Sequence, residues 1–193
     1  MRLIHFLLLA VMLLWGLSGC HKSQKAAEQP ELISSYDLDP ADIIAYDEEE
    51  SAPHNCVSLI GDYPVVTSKN DTVPLASILS PGMIVARYSL HACGDCVAHL
   101  NQAIIRYAET YPDSTVIVIL RNSHPRDLHV YHRELGDGKI RFFLADSLPG
   151  DFDECITPYL YRVGENMTIQ GHFIPRKEIP DRVLHYLDLP VDN

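Results

Sequence analysis

"HACGDCVAH", residues 91–99, sets two cysteines and two histidines into nine positions. A Cys-x-x-Cys pair alone fits a redox dithiol, a metal site or a structural clip. The flanks decide between them. Upstream, "GMIVARYSL" (82–90) is an apolar run long enough for a strand buried on both faces. Downstream, Val97, Leu100, Ile104, Ile105 and Ala108 recur at helical spacing, and Tyr111-Pro112 ends that helix. "STVIVIL" (114–120) is a second buried strand, rich in β-branched residues. The pair therefore falls where a strand runs into a helix, inside a β-α-β unit, the context in which it reads as redox-active.

A helix N-terminus carries about half a positive charge and unpaired backbone N–H groups. A thiolate at Cys93 sits on that end and is stabilised by it. Only the thiolate attacks disulfides, so Cys93 is the expected nucleophile. Cys96, one helical turn on, is the expected resolving thiol. Two neighbours modulate the pair: Asp95 brings a negative charge that raises the Cys93 pKa, and His91, if protonated, lowers it.

Further along, "PVVTS" and "TVPLASIL", joined by the turn "SKND", predict a β-hairpin over 65–74 and a short helical turn at Leu75–Leu79. "CVSLIG" before them is also β-prone. Ser123 is placed to cap a helix from about Pro125 to Leu135, with Gly136 as its stop. "KIRFFLAD" (139–146) is a strand. "PYLYRV" and "MTIQGHF" form two more, joined by "GEN". "IPDRVLHYLDL" is a last helix with Pro180 near its first turn. There is no internal repeat.

"CGDC" on the strand-helix junction, together with Thr157-Pro158 directly before a strand-hairpin-strand, resembles the thioredoxin superfamily. The resemblance covers roughly residues 57–189. It implies an α/β fold with a central mixed sheet flanked by helices, here preceded by an N-terminal β-hairpin. It also implies that Pro158 is cis and faces the cysteines, and that Thr157 presents main-chain hydrogen bonds to a substrate chain. The hairpin and the chain's N-terminus resemble those of membrane-tethered periplasmic thiol-disulfide oxidoreductases. Three departures bear on potential, direction and rate. Ala92 stands where the family has Trp, Gly94-Asp95 where thioredoxin has Gly-Pro, and Arg87 where a buried acid precedes the first cysteine by six residues.

Other readings use the same residues. His91, Cys93, Cys96 and His99 offer a Cys₂His₂ set that zinc accepts. Copper carriers of this fold use two close cysteines and a histidine, with a longer gap between the cysteines. Peroxidases of the alkyl hydroperoxide reductase class use one peroxidatic cysteine and a distant resolving one, which this motif matches poorly. An inactive relic, a structural disulfide and a non-catalytic binding or scaffold module complete the alternatives. The preferred reading is dithiol exchange with protein thiols or disulfides, with no metal and no dissociable cofactor. An upstream redox partner is required if the protein is a reductase. Cys155 is read as structural, bonded to Cys56 or a buried free thiol, with an extra redox partner as the alternative. His124, His129 and His132 are read as a solvated face, Tyr131, Tyr159 and Tyr161 as packing residues, and "DEEE" (47–50) as a solvated linker.

The first twenty residues, "MRLIHFLLLAVMLLWGLSGC", join a basic start to an apolar run too short to span a bilayer comfortably, the pattern of an export signal. "LSGC" resembles the lipobox of bacterial lipoproteins, which implies cleavage after 19 and a diacylglyceryl group on Cys20. Residues 1–19 are thus expected as signal, 20–54 as a lipidated N-terminus and acidic tether in which "LISSYDLDPADIIAY" (32–46) docks loosely or forms a short helix, and 55–193 as the domain. Arg2 is the only charged residue in the signal, so the remainder keeps 14 Lys and Arg against 26 Asp and Glu, a net charge of −12. Such acidity argues against nucleic acid as a partner. Lipid rather than charge is expected to hold the chain at a bacterial membrane. His21 after Cys20, where some bacteria use Asp for inner-membrane retention, leans toward the outer membrane facing the periplasm.

Overall fold

The computed structural model describes residues 39–190, apart from Asp62, Leu90, 136–137 and 150–156. The expected signal, Cys20, the tether up to 38, Gly136 and Cys155 lie outside the described residues. Among those described, no helix is long and apolar enough to cross a membrane.

The elements run α1 (Pro40–Ser51), β1 (Pro64–Val66), β2 (Thr72–Pro74), β3 (Ile84–Ser89), α2 (Gly94–Thr110), β4 (Val116–Arg121), α3 (Pro125–Leu135), β5 (Ile140–Leu144), β6 (Tyr159–Val163), β7 (Ile169–Phe173) and α4 (Asp181–Tyr186). The strands form one mixed sheet in the order β2-β1-β5-β4-β3-β6-β7. β3, β4 and β5 are parallel, joined by α2 and α3. β6 and β7 return antiparallel on one side, and the β1–β2 hairpin extends the other through Val66 and Leu144. This is the α/β architecture expected, hairpin included.

β3 and β4 are buried on both faces, and apolar apart from Arg87 along their buried length. On one, Ile84, Ala86 and Tyr88 pack with Leu100, Ile104 and Tyr107 of α2, Leu128 of α3 and Val183 of α4. On the other, Val85, Ile117 and Ile119 meet Leu59, Leu75, Leu148 and Tyr161. "CVSLIG" contributes an isolated bridge, Ser58 to Thr168, rather than a strand.

Two local expectations are corrected. Ser123 does not cap α3: its hydroxyl donates back to the Arg121 carbonyl, and the Asp127 carboxylate accepts from the His124 N–H at 2.8 Å instead. The tether also ends earlier than 54. Asp39 caps α1 by accepting from the Ala41 N–H, and Pro40 opens its first turn. Ile43, Asp47 and Ser51, four residues apart, form the buried face of α1. Asp47, only 1% exposed, accepts from Arg176 at 2.6 Å and from Arg182 at 3.2 Å. Removing one partner from such a buried pair costs roughly 3–5 kcal/mol. The "DEEE" run is therefore a docked helix whose first carboxylate is its anchor.

Ser51 Oγ and His172 Nδ1 on β7 are hydrogen-bonded at 3.0 Å, and the His172 N–H donates to Asn55 Oδ1. Burial first, and the nearby His54 second, push the His172 pKa down to about 4. The folded state thus favours neutral imidazole. Its contribution to stability is full above the unfolded value of 6.5 and is lost as pH falls through about 4. Urea midpoints should accordingly drop between pH 7 and pH 4, with His172 supplying about 3 kcal/mol at most. A His172→Gln variant, measured over the same range, should show a shallower drop. An unchanged slope would show that His172 does not set it.

Candidate active site

The dithiol sits where β3 hands over to α2. Cys93 is the N-cap of α2, and its sulfur accepts from the Cys96 N–H at 3.4 Å. Cys93 is exposed and Cys96 is buried, with the two sulfurs 2.8 Å apart and the Cys96 S–H donating to Cys93. The environments drive the two thiols in opposite directions. The Cys93 pKa is lowered, first by the Cys96 S–H, then by the Cys96 N–H. Desolvation opposes this, and the Asp95 N–H and the charge of Lys177 add to the lowering. The Cys96 pKa is raised to about 11, first by burial, then by its bond to Cys93. A more acidic thiol outside and a less acidic one inside is the division of labour that exchange needs.

Asp95 acts otherwise than its charge suggests. It enters through its backbone N–H, which favours the thiolate, while its side chain is exposed. His91 is exposed, with its backbone N–H bonded to Ser89 Oγ. His99 is also exposed, its Nδ1 hydrogen-bonded to the Asp95 carbonyl at 2.9 Å. Among the described residues, no group of three or more His, Cys, Asp or Glu is arranged to hold a metal ion. Cys56 is a free, exposed thiol.

Thr157 and Pro158 directly precede β6, whose Tyr159 pairs with Arg87 of β3. They lie just beyond that pair, at the end of the sheet from which the Cys93 loop leaves. The expectation of a cis Pro158 is not met: no peptide bond among the described residues is cis. The X–Pro amide still prefers trans by about 0.5–1 kcal/mol, and nothing in the sequence reverses that preference. Arg87, at the place of the family's acid, is 2% exposed and donates to the carbonyls of Ala145 and Asp146. A buried cation thus replaces a buried carboxylate.

The sequence reading missed the segment after β7. The Lys177 N–H donates to the Cys96 sulfur, and the charges of Lys177 and Glu178 reach Cys93 and Cys96 respectively. The proline-bounded "PRKEIP" (175–180) was its available signal, but no pattern ties those residues to cysteines so distant in sequence. Because the Cys96 S–H is the largest influence on Cys93, Cys96→Ala should raise the Cys93 pKa. Alkylation rates of Cys93 against pH, in the reduced protein, would show the midpoint move upward. A midpoint that stays put would mean that the helix end alone sets the thiolate.

No protein-family model matches the chain, and no curated protein matches it. Solved structures do. A protein from Aquifex aeolicus VF5 with a proposed electron-transfer role superposes at TM-score 0.51 and 12% identity, over 69% of this chain and 90% of that one. A thioredoxin-like protein from Porphyromonas gingivalis gives 0.49 and 14%, over 69% and 92%. A secreted Mycobacterium tuberculosis disulfide oxidoreductase homologous to E. coli DsbE gives 0.46 and 13%, over 64% and 96%. At such identities the likeness is one of fold. The chain has a thioredoxin-like fold, with a Cys-x-x-Cys dithiol at the N-terminus of the helix that follows its central strand.

Proposed function

We propose that the protein is a lipid-anchored thiol-disulfide oxidoreductase acting on protein thiols or disulfides. The observation that carries this reading is the asymmetry of the pair: an exposed Cys93 with a lowered pKa, 2.8 Å from a buried Cys96 with a raised one.

In the reducing direction, the Cys93 thiolate attacks one sulfur of a substrate disulfide. A mixed disulfide forms, and the departing substrate thiolate takes up a proton. Cys96 then loses its proton and attacks the Cys93 sulfur. The second substrate thiolate leaves and is protonated. The substrate has gained two electrons and two protons, and Cys93 and Cys96 are left joined as a disulfide. The oxidising direction is the reverse. Thr157 and Pro158, at the same end of the sheet, are the proposed docking edge for the substrate chain. Cys20 is the proposed lipidation site, which would hold the domain at a bacterial membrane, in the outer membrane facing the periplasm. A redox partner must return electrons if the direction is reducing.

The test is the reduction potential of the Cys93–Cys96 pair in the full chain, titrated in glutathione buffers with mass-tagged thiols. A reversible two-electron transition is expected, and Cys93→Ser should abolish it. A value near about −270 mV would make the protein a reductant, and one near about −120 mV an oxidant. Thiols that stay permanently paired or unreactive would end the catalytic reading.

A further inference from the structure

α1 lies outside the β-α-β unit that builds the dithiol, yet its buried carboxylate grips the segment that lies on the dithiol. Asp47 holds that segment at two points. Arg176 donates to it through Nε and Nη2, at 3.0 and 2.6 Å, and Arg182 through Nη1 at 3.2 Å. Between these points the chain turns twice, with Ile179 N–H bonded to the Arg176 carbonyl and Arg182 N–H to the Ile179 carbonyl. Lys177 and Glu178 sit inside that span, and the Lys177 N–H donates to the Cys96 sulfur.

We infer that Asp47 is a positioning residue for the dithiol: by fixing Arg176 and Arg182 it holds the intervening segment so that the Lys177 N–H stays on the Cys96 sulfur and the Lys177 charge stays within reach of Cys93. This rests on the exchange reading above, since a thiolate at Cys93 is what a placed ammonium stabilises. The groups facing Cys93 are Cys96 and the Asp95 N–H from its own helix and Lys177 from the segment. Those facing Cys96 are Cys93, the Lys177 N–H and Glu178. Lys177 favours the attacking thiolate, whereas Glu178 disfavours ionisation of the resolving thiol. A segment released from Asp47 loses both effects together. The region expected to be a passive tether thereby becomes part of what sets thiol reactivity.

The experiment is a double-mutant cycle on the full, reduced chain. It reads the pH profile of Cys93 alkylation by iodoacetamide, with peptide mass spectrometry to separate Cys93 from the other thiols. Lys177→Gln should move the midpoint upward and slow alkylation at neutral pH. Lys177→Arg should keep the original profile. Asp47→Asn should reproduce the Lys177→Gln shift although it touches neither sulfur. The double variant should be no slower than the slower single one, because both act through one path. If Asp47→Asn does not give folded protein, Arg176→Gln takes its place in the cycle. Additive shifts overturn the inference, as does an unmoved profile in either single variant. If Cys93 in the unsubstituted chain titrates as an ordinary thiol, the activated-dithiol reading falls as well. A low wild-type midpoint with unmoved variants removes only the role of Asp47.

Discussion

Strand β3 cannot move without taking the molecule apart. It is paired along its length with β4 on one side and β6 on the other, and side chains cover both of its faces. Its C-terminal end is therefore a fixed point, and the loop leaving it delivers Cys93 to the start of α2. The apolar stripe of α2, with Leu100, Ala103, Ile104 and Tyr107 buried, locks the helix against that strand. The orientation of the helix end toward the Cys93 sulfur follows from this packing rather than from any contact made by the cysteines. A buried strand and a packed helix are what hold the two sulfurs in register.

The same logic separates what the sequence made legible from what it hid. Strands β3 and β4 and helix α2 were readable because burial leaves a periodic trace in neighbouring residues, and Cys93 and Cys96 because the motif is contiguous. α1 was legible only as a loosely docked segment or short helix, not as a buried anchor. Its buried face holds one isoleucine, one aspartate and one serine, which is no hydrophobic stripe. Its anchor is an ion pair to an arginine 129 residues later, and a single sequence carries no mark of that distance. The α3 cap failed for a smaller reason. Ser123 and Asp127 can both serve a helix start, and the serine hydroxyl turned to its own strand's carbonyl.

Arg87 shows how far a site can depart from its fold's habits. The fold accepts a guanidinium in the buried strand position because two backbone carbonyls, of Ala145 and Asp146, receive its protons. A cation so satisfied is tolerable, but it cannot accept a proton. The carboxylate whose charge reaches Cys96 is Glu178, on the segment after β7. The polar groups at the inner thiol thus come from the segment after β7 and not from β3.

The burial of Cys96 bears on timing. In the proposed exchange, a Cys93 joined to a substrate carries no charge, and its contributions to the high pKa of Cys96 disappear. Burial, the largest contribution, stays. The inner thiol then ionises slowly, and β3 offers no base to hurry it. A joined substrate would be held for a dwell time set by how often that proton escapes. If the pair exchanges disulfides as proposed, it would work less like a rapid shuttle than like a latch.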